Sequence, residues 1–273
     1  LMKFHQIRDA SLSEDGKWVA YSLVPDRGDG EVVVRSAASE REFRIERGTD
    51  PVFSADGLWV AASITPSLEE RDKAQAKSEK RGSGKKDDDK PKPGLSILDL
   101  RSGSEERIEE VEAFAFSDDG RWLVFKHHAK KKEKDEESGE KPDQDQKEKK
   151  REPELGTTAK LRYLTTGDET VIEHVSEFAW AEEEPILAFA ISAPEGEGNR
   201  TAVLRLGRGM GLELALHEAE NGHYQNFQWA REATRFAFSA AVLDDDGEPG
   251  DADIWVWRGE GEAKRVVSRA DAP

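Results

Sequence analysis

The residues nearest to a metal-hydrolase pattern are His217, Glu218 and His223, since two histidines and a carboxylate are a familiar zinc set. A helix-borne site of that kind needs its histidines one turn apart, at i and i+4. Positions 217 and 223 fall on different sides of a helix, so no zinc site is expected. Asp244, Asp245, Asp246 and Gly247, followed by Asp251 and Asp253, supply hard oxygen ligands of the kind calcium takes. The alternating acids and closing glutamate of a calcium loop are missing, and a polar connecting loop is expected instead. Gly207, Gly209 and Gly211 imitate a phosphate-cradling loop, but they join two strand-like runs and precede no helix, which makes a hairpin the expectation. Gly82-Ser83-Gly84-Lys85 lacks the first glycine and the final Ser/Thr of a P-loop. Glu182-Glu183-Glu184 is a candidate anchor for a peptide amino terminus that occupies the place of a turn, and Asn199-Arg200-Thr201 is a glycosylation sequon only in a suitable secretory host. No catalytic, cofactor-binding or metal-binding residue is assigned, and no cofactor is expected.

The elements that carry these residues belong to a chain of 273 residues with a formal net charge of -17. An average surface of that sign repels nucleic acid phosphates and anionic lipid, so neither nucleic acid nor membrane is an expected partner. No run approaches the ~20 apolar residues of a membrane helix, and the opening Leu1-Met2-Lys3-Phe4-His5 lacks the apolar segment of a signal peptide. The absence of cysteine excludes disulfides and thiolate metal sites and leaves the compartment open, with periplasm or secretion favoured over cytoplasm. Residues 66–93 and 128–153 are nearly free of large apolar groups and crowded with charge. Such segments cannot bury enough surface to offset ordering entropy, so both are expected to be disordered, solvated loop insertions and the first places a protease cuts. The first holds nine Lys/Arg against seven Asp/Glu and the second nine against nine, which argues against basic binding patches and concentrates the negative charge in the folded part.

Outside the insertions the chain repeats itself. LSEDGKWVAYSL (Leu12 to Leu23) returns as FSADGLWVAASI (Phe53 to Ile64) and FSDDGRWLVFKH (Phe116 to His127). Degenerate copies follow in WAEEEPILAFAI (Trp180 to Ile191) and WAREATRFAFSA (Trp229 to Ala240). The Asp-Gly pairs 15-16, 56-57 and 119-120 tolerate the positive φ of a tight hairpin. Runs such as Trp18-Val19-Ala20-Tyr21 are continuously apolar where a sheet with one wet face would alternate, so both faces of that strand must be covered. Each hairpin is followed by a second pair of strand-like runs whose charge rises toward an outer edge, as in GEVVVRSAASEREFRI from Gly30. The fold class is therefore all-β: a β-propeller of about five four-stranded blades, with expected extents of about 4–47, 48–111, 112–175, 176–220 and 221–268. The aromatics Trp18, Trp59 and Trp122, and Phe53, Phe116, Trp180 and Trp229, are expected to recur in the core between blades, and the two insertions to leave one face together.

The Ser-x-Asp-Gly-Lys-Trp-Val-Ala-Tyr pattern resembles the TolB-type propeller repeat. The opening run MKFHQIRDASLSEDGKWVAYS resembles the start of the propeller in bacterial serine peptidases of the prolyl oligopeptidase family, and GHYQNFQWAREATRFAFSA (Gly222 to Ala240) is similar to a later blade of that group. The resemblance implies an incomplete propeller whose last blades and α/β-hydrolase domain lie outside these residues, with peptides as substrates of the parent protein and the propeller restricting their access. Acyl transfer in that family needs a serine on a Gly-x-Ser-x-Gly turn. No serine here is so flanked, so the catalytic residues are expected elsewhere. The alternative is a stand-alone TolB-type propeller that binds a protein or peptide.

Overall fold

A computed structural model describes residues 5–81, 90–129, 155–207, 211–232 and 235–268. They divide into two compact units. One takes in the described residues up to His128 together with Thr158–Ile172 and Trp180–Pro185; the other takes in Glu173–Ala179 and the described residues from Ile186 onward. Each unit is built from antiparallel four-stranded sets in simple up-and-down order.

In the first unit, β1 (His5–Leu12), β2 (Trp18–Pro25), β3 (Glu31–Ser36) and β4 (Glu42–Glu46) form the first sheet. The second consists of β5 (Gly48–Phe53), β6 (Trp59–Ile64), β7 (Gly94–Asp99) and β8 (Glu105–Ile108). The third begins with β9 (Val111–Phe116), β10 (Trp122–His127) and β11 (Thr157–Tyr163), and β12 (Glu169–Trp180) follows β11 in the strand order. In the second unit, β13 (Ile186–Ile191), β14 (Arg200–Arg205) and β15 (Glu213–Glu218) continue the fourth set from β12, and β16 (Gly222–Trp229), β17 (Phe236–Val242), β18 (Asp253–Trp257) and β19 (Lys264–Val267) form the fifth sheet. The boundary expected near 175 falls inside β12, one long strand that serves as the outer strand of one set and the inner strand of the next.

The three well-formed repeats make the same turn. Ser13, Ser54 and Ser117 donate a hydroxyl to Asp15, Asp56 and Asp119 at 2.8, 2.6 and 2.7 Å. Each serine oxygen also accepts the amide of the tryptophan that opens the next strand, at 3.0 Å in all three. Gly16, Gly57 and Gly120 take φ near 67°, 67° and 69°, the left-handed conformation that the Asp-Gly pairs led one to expect. The serine was legible as part of the motif; its double hydrogen bond, which ties the turn to the strand, is supplied by the structure.

Consecutive sheets pack with a fixed polarity. In the first sheet Trp18, Ala20, Val32, Val34 and Ile45 lie on the side that meets the second, where Val60, Ala62, Ile64 and Leu98 receive them in one buried cluster with Phe43 and Phe53 against it. Ala61, Leu95 and Ile97, on the opposite side of the second sheet, pack in turn against Leu123 and Phe125 of the third, with Trp59 and Phe116 at the margin. We call these the forward and rear faces. Trp18 is buried in the first of these clusters and the half-buried Trp59 packs against the second, so these two post-turn aromatics line the packing between sheets, while Trp122 is buried beside Tyr163 of its own sheet.

Two features depart from the sequence expectation. The insertion 66–93, expected to be disordered, contains helix α1 (Leu68–Arg81). It lacks an apolar stripe, so hydrophobic periodicity is silent, but its composition is rich in good helix formers and its start is capped. Glu70 accepts the Ser67 amide at 2.8 Å while the Ser67 hydroxyl accepts the Glu70 amide at 3.2 Å, a capping box. Asp29 accepts the Leu68 amide at 2.7 Å and pairs with Arg71 at 3.3 Å, fastening the first turn to the β2–β3 connection. Residues 82–89 of this insertion and 130–153 of the other lie outside the described residues, so the expected common exit of the two insertions does too.

The second departure lies where one set hands over to the next. Arg47, Glu110, His174 and Asn221 adopt φ of 63°, 54°, 60° and 55°. Their carbonyls accept the amides of Thr65, His128, Ser192 and Leu243 at 2.9, 2.9, 2.8 and 3.0 Å. A left-handed residue turns the chain from outer strand to inner strand while its carbonyl closes the far end of the neighbouring strand. Because Glu110 is exposed and carries this backbone strain without an Asn or Gly side chain, Glu110→Gly is expected to raise stability by about 0.5–1 kcal/mol, the left-handed penalty of about 1–2 kcal/mol less the entropy of a freer unfolded chain. Urea unfolding of the two proteins checks it; a lower midpoint for the glycine variant would show that the Glu110 side chain matters more than its φ.

Candidate functional site

Most of the motifs with chemical potential resolve into local structure. The acids around Asp244 sit in the β17–β18 connection, where one Asp244 carboxylate oxygen accepts the amides of Asp246 and Glu248 at 2.9 and 3.0 Å. Gly247 turns the chain at φ 78°. Gly207 and Gly211 lie in the β14–β15 connection, between strands as expected, and Gly209 and Gly82-Ser83-Gly84-Lys85 lie outside the described residues. Glu182, Glu183 and Glu184 are exposed on the β12–β13 turn, whose Glu183 amide donates to Asp118 at 2.7 Å. Among the described residues no three His, Asp or Glu side chains converge as metal ligands.

Asn199 shows why a sequence pattern can be chemically closed. Its side chain is almost fully buried: the amide oxygen accepts the Ala193 N–H at 2.7 Å and the amide nitrogen donates to the Gly222 carbonyl at 2.9 Å. Both halves of the amide that an oligosaccharide would need are committed to holding the β13–β14 connection against the start of β16. In the folded protein this asparagine is a structural clasp.

The densest polar cluster in the second unit adjoins that clasp. His217 on β15 lies 3.0 Å through Nδ1 from the Tyr224 hydroxyl on β16, and its ring is 4.1 Å from that of Trp255 on β18. His223, the other half of the zinc-like pair, is not part of this contact. Burial pushes His217 below the usual imidazole range, against the opposing pull of the Asp253 and Glu262 carboxylates. Burial also raises the Tyr224 phenol, with Glu218 adding to the effect and a backbone hydrogen bond opposing it. The pair joins β15 to β16.

The pH consequence has a definite sign. With its folded pKa lowered, His217 is protonated first in the unfolded chain, so its contribution is complete above the unfolded value of about 6.5 and is lost as pH falls toward the lower folded value. His217→Gln is expected to flatten stability against pH in that window. Urea midpoints measured at several pH values check this, and an unchanged pH slope in the variant would remove His217 as the cause.

In the first unit the turns carry arginine–aromatic stacks. The Arg41 guanidinium lies 5.5 Å from the Trp18 ring centroid and 5.4 Å from that of Phe43, while Arg101 lies 5.2 Å from Trp59. Arg41 also donates to the carbonyls of Leu100 and Arg101 at 3.0 and 3.2 Å, so it bridges the turns of two sheets. The contacts of Arg41 with Trp18 and of Arg101 with Trp59 were missed in the sequence because arginine and ring stand far apart along the chain.

The repeated four-stranded sets, their up-and-down order and their forward-to-rear packing define an all-β protein of the β-propeller class. Among solved structures, one from an analysis of two prolyl endopeptidases aligns over 97% of this chain and 36% of its own, with a TM-score of 0.51 at 11% identity. That likeness is one of fold. The β-propeller domain of the Trilobed protease from Pyrococcus furiosus aligns over 98% of this chain and 73% of its own, with a TM-score of 0.45 at 13% identity. Pyrococcus horikoshii acylaminoacyl peptidase aligns over 99% of this chain and 40% of its own, with a TM-score of 0.45 at 14% identity. No protein-family model and no curated protein sequence matches the chain. It spans well under half the length of the prolyl endopeptidase and of the acylaminoacyl peptidase it resembles.

Proposed function

We propose that these residues form one propeller unit, the non-catalytic part of a serine peptidase of the prolyl oligopeptidase family, in which it restricts the access of peptides to a hydrolase domain encoded beyond them. The observation that carries this reading is the Ser-x-Asp-Gly-x-Trp hairpin, repeated at the inner end of successive four-stranded sets, within opening and later runs that resemble that family's propeller. The fold likeness to a prolyl endopeptidase agrees with it. The partners are the hydrolase domain of the same polypeptide and the peptides it cleaves.

On this reading the 273-residue chain hydrolyses nothing, because a covalent route needs an activated nucleophile and no Gly-x-Ser-x-Gly turn is present. A hydroxyl-directed activity probe is expected to leave the purified chain unlabelled and to label one serine, in such a turn, of the longer gene product. Labelling of the short chain, with peptide cleavage lost when that serine is replaced, would overturn the non-catalytic assignment. A gene product that closes its propeller without a hydrolase domain would overturn the peptidase assignment in favour of a TolB-type binding module.

A further inference from the structure

Of the three asparagines in the chain, Asn221 alone is followed by glycine. An Asn-Gly pair carries a reaction of its own. The glycine nitrogen, stripped of its proton, attacks the asparagine Cγ; a new N–C bond forms, the Cγ–N bond of the side-chain amide breaks, and ammonia leaves. Water then opens the five-membered imide at one carbonyl or the other, giving aspartate or isoaspartate. Glycine favours the closure because it has no Cβ to crowd the attacking nitrogen. Asn221 is exposed, so the water for the second step is at hand.

The fold holds this pair in a shape that cannot close. Ala219 to Gly222 form a turn in which the Gly222 N–H donates to the Ala219 carbonyl at 3.0 Å. Asn221 takes φ 55° at the third position, where a type II turn places Gly or Asn. The ψ of about 0° in such a turn leaves the following nitrogen about 120° of rotation from the eclipse with Cβ that a planar imide ring requires. The nucleophile is thus both engaged and misdirected. The electrophile is parked as well, because the Asn221 side-chain amide rests against Gly196 so closely that no Cβ would fit there. Three further hydrogen bonds resist the rotation. The Asn221 N–H donates to the Gly196 carbonyl at 3.1 Å, the Asn221 carbonyl accepts the Leu243 N–H at 3.0 Å, and the Gly222 carbonyl accepts the Asn199 amide at 2.9 Å.

We propose that Asn221 is a deamidation site latched shut by the Asn199 clasp, and that it reacts only when the start of β16 lets go. The reaction then makes the opening permanent. Isoaspartate reroutes the backbone through Cβ, so the carbonyl that receives the Leu243 N–H is no longer part of the main chain. Aspartate keeps the backbone but adds a carboxylate to a turn that already carries Glu220. The inference goes beyond the peptidase reading and stands independently of it, since it uses contacts within the second unit alone.

The test is peptide mapping by mass spectrometry of the 273-residue protein incubated at mildly alkaline pH, folded in buffer and unfolded in guanidinium chloride. In the unfolded chain Asn221 is expected to convert to aspartate and isoaspartate while Asn199 and Asn226 stay intact. In the folded protein its conversion is expected to be slower by about tenfold or more, since only the locally opened fraction reacts. Asn199→Ala removes the latch on Gly222 and is expected to raise the folded-state rate by about tenfold or more. Where that variant unfolds, the parent in guanidinium below its unfolding midpoint takes its place: Asn221 conversion is expected to rise in step with hydrogen exchange of the Gly222 amide. Equal rates in the folded and unfolded parent overturn the proposal. So does a folded Asn199→Ala variant that converts no faster than the parent, or conversion that does not follow Gly222 exchange. Isoaspartate-containing protein that refolds to the parent's circular dichroism and urea midpoint overturns the claim that the reaction makes the opening permanent.

Discussion

Replacing Trp122 by alanine is expected to destabilise the first unit by about 3–5 kcal/mol, the usual consequence of deleting a large buried ring whose surroundings cannot close. The ring is 4% exposed, its centroid lies 4.8 Å from that of Tyr163, and its backbone amide is held by Ser117. Trp122→Phe is expected to lose much less. The indole N–H is buried without an acceptor among the described residues, so removing it leaves no broken hydrogen bond behind. Urea unfolding of both variants separates ring volume from the polar group. A loss below about 1 kcal/mol for the alanine variant would show that the site collapses around the missing ring or that the ring is outside the core.

Asn199→Ala is expected to cost about 2–4 kcal/mol, because it strips a partner from two backbone groups at once, the Ala193 N–H and the Gly222 carbonyl. Asn199→Asp keeps the shape and the acceptor for Ala193 but loses the donor to Gly222 and brings a charge into a site that is 2% exposed. It should therefore be at least as harmful near neutral pH and recover part of its stability in acid, where the carboxyl group is protonated and can donate. Thermal melts of the two variants across pH decide the matter: a substitution to alanine without effect would mean that water replaces both contacts.

The strand plan was legible because its signals are local. An Asp-Gly pair between β-rich runs declares a hairpin, and Trp18-Val19-Ala20-Tyr21 declares a strand covered on both sides. What escaped were features without a composition signal. Helix α1 has no apolar face, and its Ser67-x-x-Glu70 box passed unnoticed inside a segment judged by charge. The left-handed residues at the handovers are Arg, Glu, His and Asn, of which Arg and Glu carry no preference for that conformation. That Asn199 is a clasp and that His217 stacks on Trp255 depend on contacts between sheets, which a single sequence does not display.

The β6–β7 pair keeps an unbroken ladder from Trp59 opposite Asp99 to Ile64 opposite Gly94, although residues 65–93 intervene. The corresponding β2–β3 pair is joined by residues 26–30 alone and keeps a ladder of the same kind. Lengthening a connection by that much adds roughly 1.5 kcal/mol of closure entropy, at about 0.6 kcal/mol per doubling. Such a junction behaves as a socket. A fluorescent protein, an epitope or a binding peptide grafted in place of residues 82–89 would leave the capped start of α1 and the strand register where they are, which makes the β6–β7 connection the place to attach a reporter to this protein.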